Sequence, residues 1–122
     1  MKRISLTLRV TTLKNYITMT IQINTDNNVE NSARLKTYFT EELQKSLARF
    51  EDKVTRLEVH FTDENGDKFG LNDKRCVIEA RPENLPPVAV TEHADTIEKA
   101  FSGALDKIKK VLTTTYEKKR TY

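Results

Sequence analysis

The chain has one cysteine, no tryptophan, three glycines, three prolines and two histidines in 122 residues. A single thiol, Cys76, excludes an internal disulfide and suits a reducing compartment. Glycines only at Gly66, Gly70 and Gly103 leave no glycine-rich phosphate loop. His60, His93 and Cys76 are too few and too scattered for a zinc site. No apolar run is long enough to cross a bilayer, so no membrane partner is expected. A Cys–His nucleophile pair would need Cys76 turned outward, against the alternation around it. With no other catalytic constellation in view, an enzyme is not expected, nor a cofactor, a metal or a small-molecule substrate.

Charge is plentiful, at 32% of residues, but it is unevenly placed. Residues 1–18 carry Lys2, Arg3, Arg9 and Lys14 and no acid; removing those four charges from the total of +3 leaves −1 for the chain from Met19 onward. A basic pI therefore reports the N-terminal piece, and any nucleic-acid reading must rest on where charges lie. The broken apolar run Ile4-Ser-Leu-Thr-Leu-Arg9 does not suit a secretory signal. A transit peptide fits residues 1–18 loosely. The favoured expectation is a basic extension, disordered or a start-site artefact, ahead of one domain over 19–122.

The organising stretch is Leu57–Arg81. Leu57, Val59 and Phe61 alternate with Glu58 and His60, and Cys76, Ile78 and Ala80 alternate with Arg75, Glu79 and Arg81. Successive side chains of a strand point to opposite faces, so both arms read as half-buried strands joined by a polar connection. Thr20–Asn24 is a short strand with Ile21 and Ile23 on one face. Asn31 or Ser32 caps a helix running to about Phe50, striped by Leu35, Phe39, Leu43, Leu47 and Phe50. Pro82, Pro86 and Pro87 mark a loop, and Val88–Thr91 is a fourth strand near an edge. Asp95 or Thr96 caps a second helix with Ile97, Phe101, Ala104, Leu105, Ile108, Val111 and Leu112 on one face. At about 100° per residue, Lys99 and Lys110 point away from that face, with Lys107 and Lys109 on its flanks.

The order β-α-β-β-β-α predicts an α+β two-layer sandwich: a four-stranded, mostly antiparallel sheet with two helices on one face. The other face is polar, with Gln22, Glu58, His60, Arg75 and Glu79. Asp63-Glu-Asn-Gly-Asp67 has the look of a calcium loop but not its spacing: the glycine comes too early and Lys74 stands at the twelfth position. A polar loop, or an acidic contact for a basic protein, remains.

Ile23-Asn-Thr-Asp-Asn-Asn-Val-Glu30, followed by a capped helix with Leu35, Tyr38 and Phe39, resembles the N-terminal half of the ribosome hibernation-promoting factors. That family is also called ribosome-associated inhibitor or sigma-54 modulation protein. Glu92-His93-Ala94-Asp95 leading into Ala100-Phe101 and Asp106-Lys107-Ile108 resembles the family's second helix. The resemblance spans Met19 to about Leu112 and is to a divergent, short member. It implies a cytoplasmic translation inhibitor that binds the small ribosomal subunit, its 16S rRNA and neighbouring ribosomal proteins, near the messenger and transfer RNA channel. Carried over by position, Lys107 is the first RNA-binding candidate and Lys110 the second. Lys99, Lys74, Arg75 and Arg81 follow from charge and expected exposure. The sequence departs from the family at Thr96-Ile97, where Met-Tyr is usual, and in its near-neutral charge after Met19. It shows neither the dimerising second domain of long members nor the acidic tail of the inhibitor type, so the resemblance leaves ribosome dimerisation by this domain alone open. A protein-interaction regulator on the same fold is the alternative, favoured by that near-neutral charge. A small enzyme using scattered acids ranks last.

Overall fold

The computed structural model describes residues 19–26, 33–64 and 73–120. Residues 1–18, the Asn31 and Ser32 caps and most of the Asp63–Lys74 connection lie outside them.

Seven elements follow one another: β1 (Thr20–Thr25), α1 (Ala33–Ser46), a 3-10 turn (Ala48–Phe50), β2 (Val54–Asp63), β3 (Lys74–Pro82), β4 (Val88–Ala94) and α2 (Ile97–Arg120). The sheet order is β1-β2-β3-β4. β1 runs parallel to β2, with α1 as the crossover that parallel neighbours require, while β2–β3 and β3–β4 are antiparallel. The expected α+β sandwich, mostly antiparallel, is the fold observed.

Alternation decides the layers. Ile21, Ile23, Leu57, Val59, Phe61, Cys76, Ile78 and Ala80 are buried beneath the helices. Phe39 of α1, 2% exposed, centres the join. Its ring lies 4.5 Å from that of Phe101 on α2 and 4.8 Å from that of Phe61 on β2. One side chain thus ties both helices to the sheet, its ring tilted against both partners and not stacked face to face.

Several boundaries differ from the sequence reading. α1 stops at Ser46 instead of running to Phe50, because the backbone breaks at Leu47 (φ −112°, ψ 21°) and restarts as a tight turn. That turn buries both Leu47 and Phe50, which a continuous helix would also have placed on one stripe. Phe50 then stacks on Tyr116 at 5.8 Å, and the Tyr116 hydroxyl donates to the Lys53 carbonyl at 3.1 Å. These contacts give α2 a reason to continue past Leu112. Pro82 ends β3 opposite Val54, beyond a bulge between Val54 and Arg56, where a missing N–H costs no interior ladder bond. β4 extends beyond Thr91 to Ala94, pairing Glu92 with Cys76 and His93 with Arg75.

Candidate nucleic-acid interface

A nucleic-acid surface needs cations free to meet phosphates, so the partners of each lysine and arginine decide the question. The helix α2 begins with Thr96 as its cap: the Lys99 N–H donates to Thr96 Oγ1 at 3.1 Å. Of the two expected capping residues it is therefore Thr96 that acts. Asp95 instead pairs with Lys99 Nζ at 3.2 Å, one turn apart on an exposed surface.

Lys107 is held on two sides. Its Nζ lies 2.8 Å from Glu92 Oε1 and donates to the Thr91 carbonyl, also at 2.8 Å. Glu92 occupies an inward position of β4, in line with Val88, Val90 and Ala94. A carboxylate fits there because α2 presents Gly103: a Cβ at that position would lie 2.6 Å from Glu92 Cγ. The lysine therefore fastens helix to edge strand in the resting structure. Lys74 is similarly engaged. Its Nζ is 3.1 Å from Asp73 and 3.4 Å from Asp63, both buried carboxylates at the mouth of the β2–β3 connection. Hydrogen bonding to Asp73, reinforced by Asp63, raises its pKa. The Glu64 N–H, donating to the Asp73 carbonyl at 2.9 Å, closes the same mouth.

The open sheet face is charged but largely self-satisfied. Arg56 Nε donates to Glu58 Oε2 at 2.9 Å, and its Nη2 reaches Glu58 and, at 2.5 Å, Gln22 Oε1. That guanidinium holds the Glu58 carboxyl below the usual glutamate range, against the opposing pull of partial burial. His60 touches the same carboxylate at 3.3 Å. Arg75 and His93 both approach Glu64, at 3.9 and 3.6 Å. Arg81, at the Pro82 end of β3, is exposed and makes no ion pair with a described carboxylate.

The helix side offers a different grouping. Lys109 and Lys110 are exposed and likewise make no ion pair with a described carboxylate. Both lie one turn before Thr113 on α2. Arg49 reaches that threonine from the 3-10 turn: its Nη2 donates to Thr113 Oγ1 at 3.0 Å, and its guanidinium sits 4.7 Å above the Phe50 ring. By helix spacing, Arg49 at Thr113 forms a stripe with Lys109 and Lys110, which lie one turn back on either side of that threonine, between Asp106 and Glu117. Of the sequence candidates, the structure places Lys110 here. Lys107 and Lys99 lie along the same helix with carboxylate partners, Lys74 at the loop mouth, and Arg75 and Arg81 on the opposite side of the sheet. Arg49 and Lys109 were missed as candidates. A helix read straight through to Phe50 gives Arg49 no contact with α2, and helical spacing puts Lys109 only on a flank of the apolar face. The run Lys107-Ile-Lys-Lys110 was the available signal.

These features define a small two-layer α+β domain with a cationic helix stripe and a charge-balanced sheet face. Residues 21–120 match the family of the sigma 54 modulation protein / S30EA ribosomal protein, and the chain belongs to that ribosome-associated family. Two solved structures share the fold. The N-terminal domain of Protein Y from Thermus thermophilus is 17% identical with a TM-score of 0.62, covering 78% of this chain and 97% of its own. A ribosomal subunit interface protein from Coxiella burnetii is 16% identical with a TM-score of 0.59, covering 80% of this chain and 97% of its own. No curated protein sequence matches. No described helix is long and apolar enough to cross a membrane.

Proposed function

We propose that this domain is a cytoplasmic hibernation factor that binds the small ribosomal subunit near the messenger and transfer RNA channel and silences it by occupying space, without catalysis. Membership of the ribosome-associated family supports the ribosome as target. The observation that carries the RNA contact is the stripe of Arg49, Lys109 and Lys110, assembled from two elements. Lys110 comes first among its residues, as an exposed cation from the family-like segment. Lys99 and Lys107 adjoin the stripe along α2, while Lys74, Arg75 and Arg81 supply contacts only to RNA that wraps the sheet side. The near-neutral charge after Met19 is compatible with such binding because the cations are grouped, not because they are many.

Charge reversal at Lys109 and Lys110 tests this reading. The variant Lys109→Glu/Lys110→Glu keeps the apolar face of α2 intact and is expected to stay folded by circular dichroism. Its co-sedimentation with purified small subunits should fall well below that of the wild type. Undiminished binding of the folded variant would remove this stripe from the interface. A protein-interaction role on the same fold is the second reading, favoured by the mutually paired charges of the open sheet face. It predicts a protein partner and binding that does not follow salt as phosphate contacts do.

A further inference from the structure

We infer that Glu92 is an internal competitor for RNA: it occupies Lys107 as a phosphate would, and so limits how many cations α2 offers to nucleic acid. The inference rests on the proposed RNA contact and adds a residue that sets its strength.

Three observations carry it. Lys107 Nζ meets a carboxylate oxygen and a backbone carbonyl at 2.8 Å each, an acceptor set that resembles what a phosphate presents. The lysine side chain is still 53% exposed, so it is tethered at the surface and not locked in the interior. Glu92 sits at an inward-facing position of an edge strand, against the glycine of α2 that leaves room for its stem. An apolar residue would satisfy that position in a sheet packed on a helix, as Val88 and Val90 do in the same row. The carboxylate contributes little to the core. What it does is face Lys107.

Lys107 and Lys110 are neighbours three residues apart on the helix surface, so a phosphate chain following Lys110 passes Lys107. While Glu92 holds it, Lys107 releases no counterion on binding and adds nothing to salt dependence. Freed, it adds one phosphate contact, which steepens the slope of log K against log salt by about 0.7 for single-stranded RNA. If that contact adds nothing at about 1 M salt, the same slope gives about eightfold tighter binding at about 50 mM.

The test uses the full chain with purified small ribosomal subunits across a salt series. Glu92→Gln keeps the shape that packs on Gly103 and removes the charge. It should tighten binding at low salt and steepen the slope by about one contact. Lys107→Met in the wild-type background should leave the slope unchanged, and in the Glu92→Gln background it should abolish the gain. Glu41→Gln, an equal charge removal on the outer face of α1, should not reproduce it. An unchanged slope in folded Glu92→Gln, a gain that survives Lys107→Met, or an equal gain in Glu41→Gln would each overturn the inference. Failure of the wild type and of Glu92→Gln alike to bind subunits at any salt would instead overturn the functional reading on which it stands.

Discussion

Gly103→Ala puts the contact between α2 and β4 to a quantitative test. The new methyl would lie 2.6 Å from Glu92 Cγ and 2.8 Å from Cδ, closer than unbonded carbons allow. Those atoms belong to a flexible side chain on an edge strand, so Glu92 can swing outward without moving backbone. Three contributions then compete. Replacing a helix-interior glycine gains about 0.5–1 kcal/mol, because alanine loses less conformational freedom on folding. Losing a partly exposed ion pair costs about 0.2–1 kcal/mol. Turning Glu92 away from its preferred rotamer costs about 0.5–1.5 kcal/mol. Together they run from a gain of about 0.3 to a loss of about 2 kcal/mol, centred on a loss of about 1 kcal/mol, read by urea denaturation followed by circular dichroism. In a Glu92→Ala background the obstruction is gone, and the same substitution should stabilise by the full glycine-to-alanine gain. A loss of about 3 kcal/mol or more for Gly103→Ala alone would mean overpacking against a rigid neighbour. Glu92 would then be a fixed wedge, and the view of it as a movable partner for Lys107 would fail.

Other expectations follow from the same geometry. Phe39→Ala removes the ring that joins α1, α2 and β2 and should cost about 3–5 kcal/mol in denaturant titration; a loss under about 1 kcal/mol would show that the ring cluster does not hold the layers together. Burial pushes the Cys76 thiol up to about 12, so it should resist a thiol reagent at pH 8 until the protein unfolds, and rapid labelling of native protein would contradict its place beneath the helices. Glu58 is held below its usual range by Arg56, so its contribution to stability is complete at neutral pH and is lost as pH falls from the ordinary glutamate range through the depressed value. Arg56→Met should flatten that acid-side loss, measured as denaturation midpoint against pH; an unchanged profile would show that the pair does not persist in solution.

Much of this fold was legible because its strands alternate cleanly. Parity alone puts Cys76 and His60 on opposite faces, and they lie there. The placement of β1 beside β2 was less accessible, since two short isoleucine positions do not say which neighbour they pair with. The ends of elements were harder still. Leu47 and Phe50 fit the stripe of a continuous helix, and only packing against Tyr116 explains why the chain tightens between them. Glu92 breaks the apolar parity of β4, which runs past Thr91 to Ala94. That break proved informative: a carboxylate at an inward position signals a cation opposite it, and Lys107 is that cation. The site was legible only in part for the same reason. Spacing along one helix finds exposed lysines, but it cannot show which already have partners across the fold. Nor can it bring Arg49 to Thr113 across an interval of 64 residues.

The most direct measurement is sedimentation of the protein with purified small ribosomal subunits at a series of salt concentrations. Phosphate contacts from a few grouped cations predict co-sedimentation at low salt that fades steadily as salt rises, each contact adding about 0.7–0.9 to the slope. A folded protein that fails to associate even at the lowest salt, or that associates with no salt dependence, would contradict RNA contact through the α2 stripe.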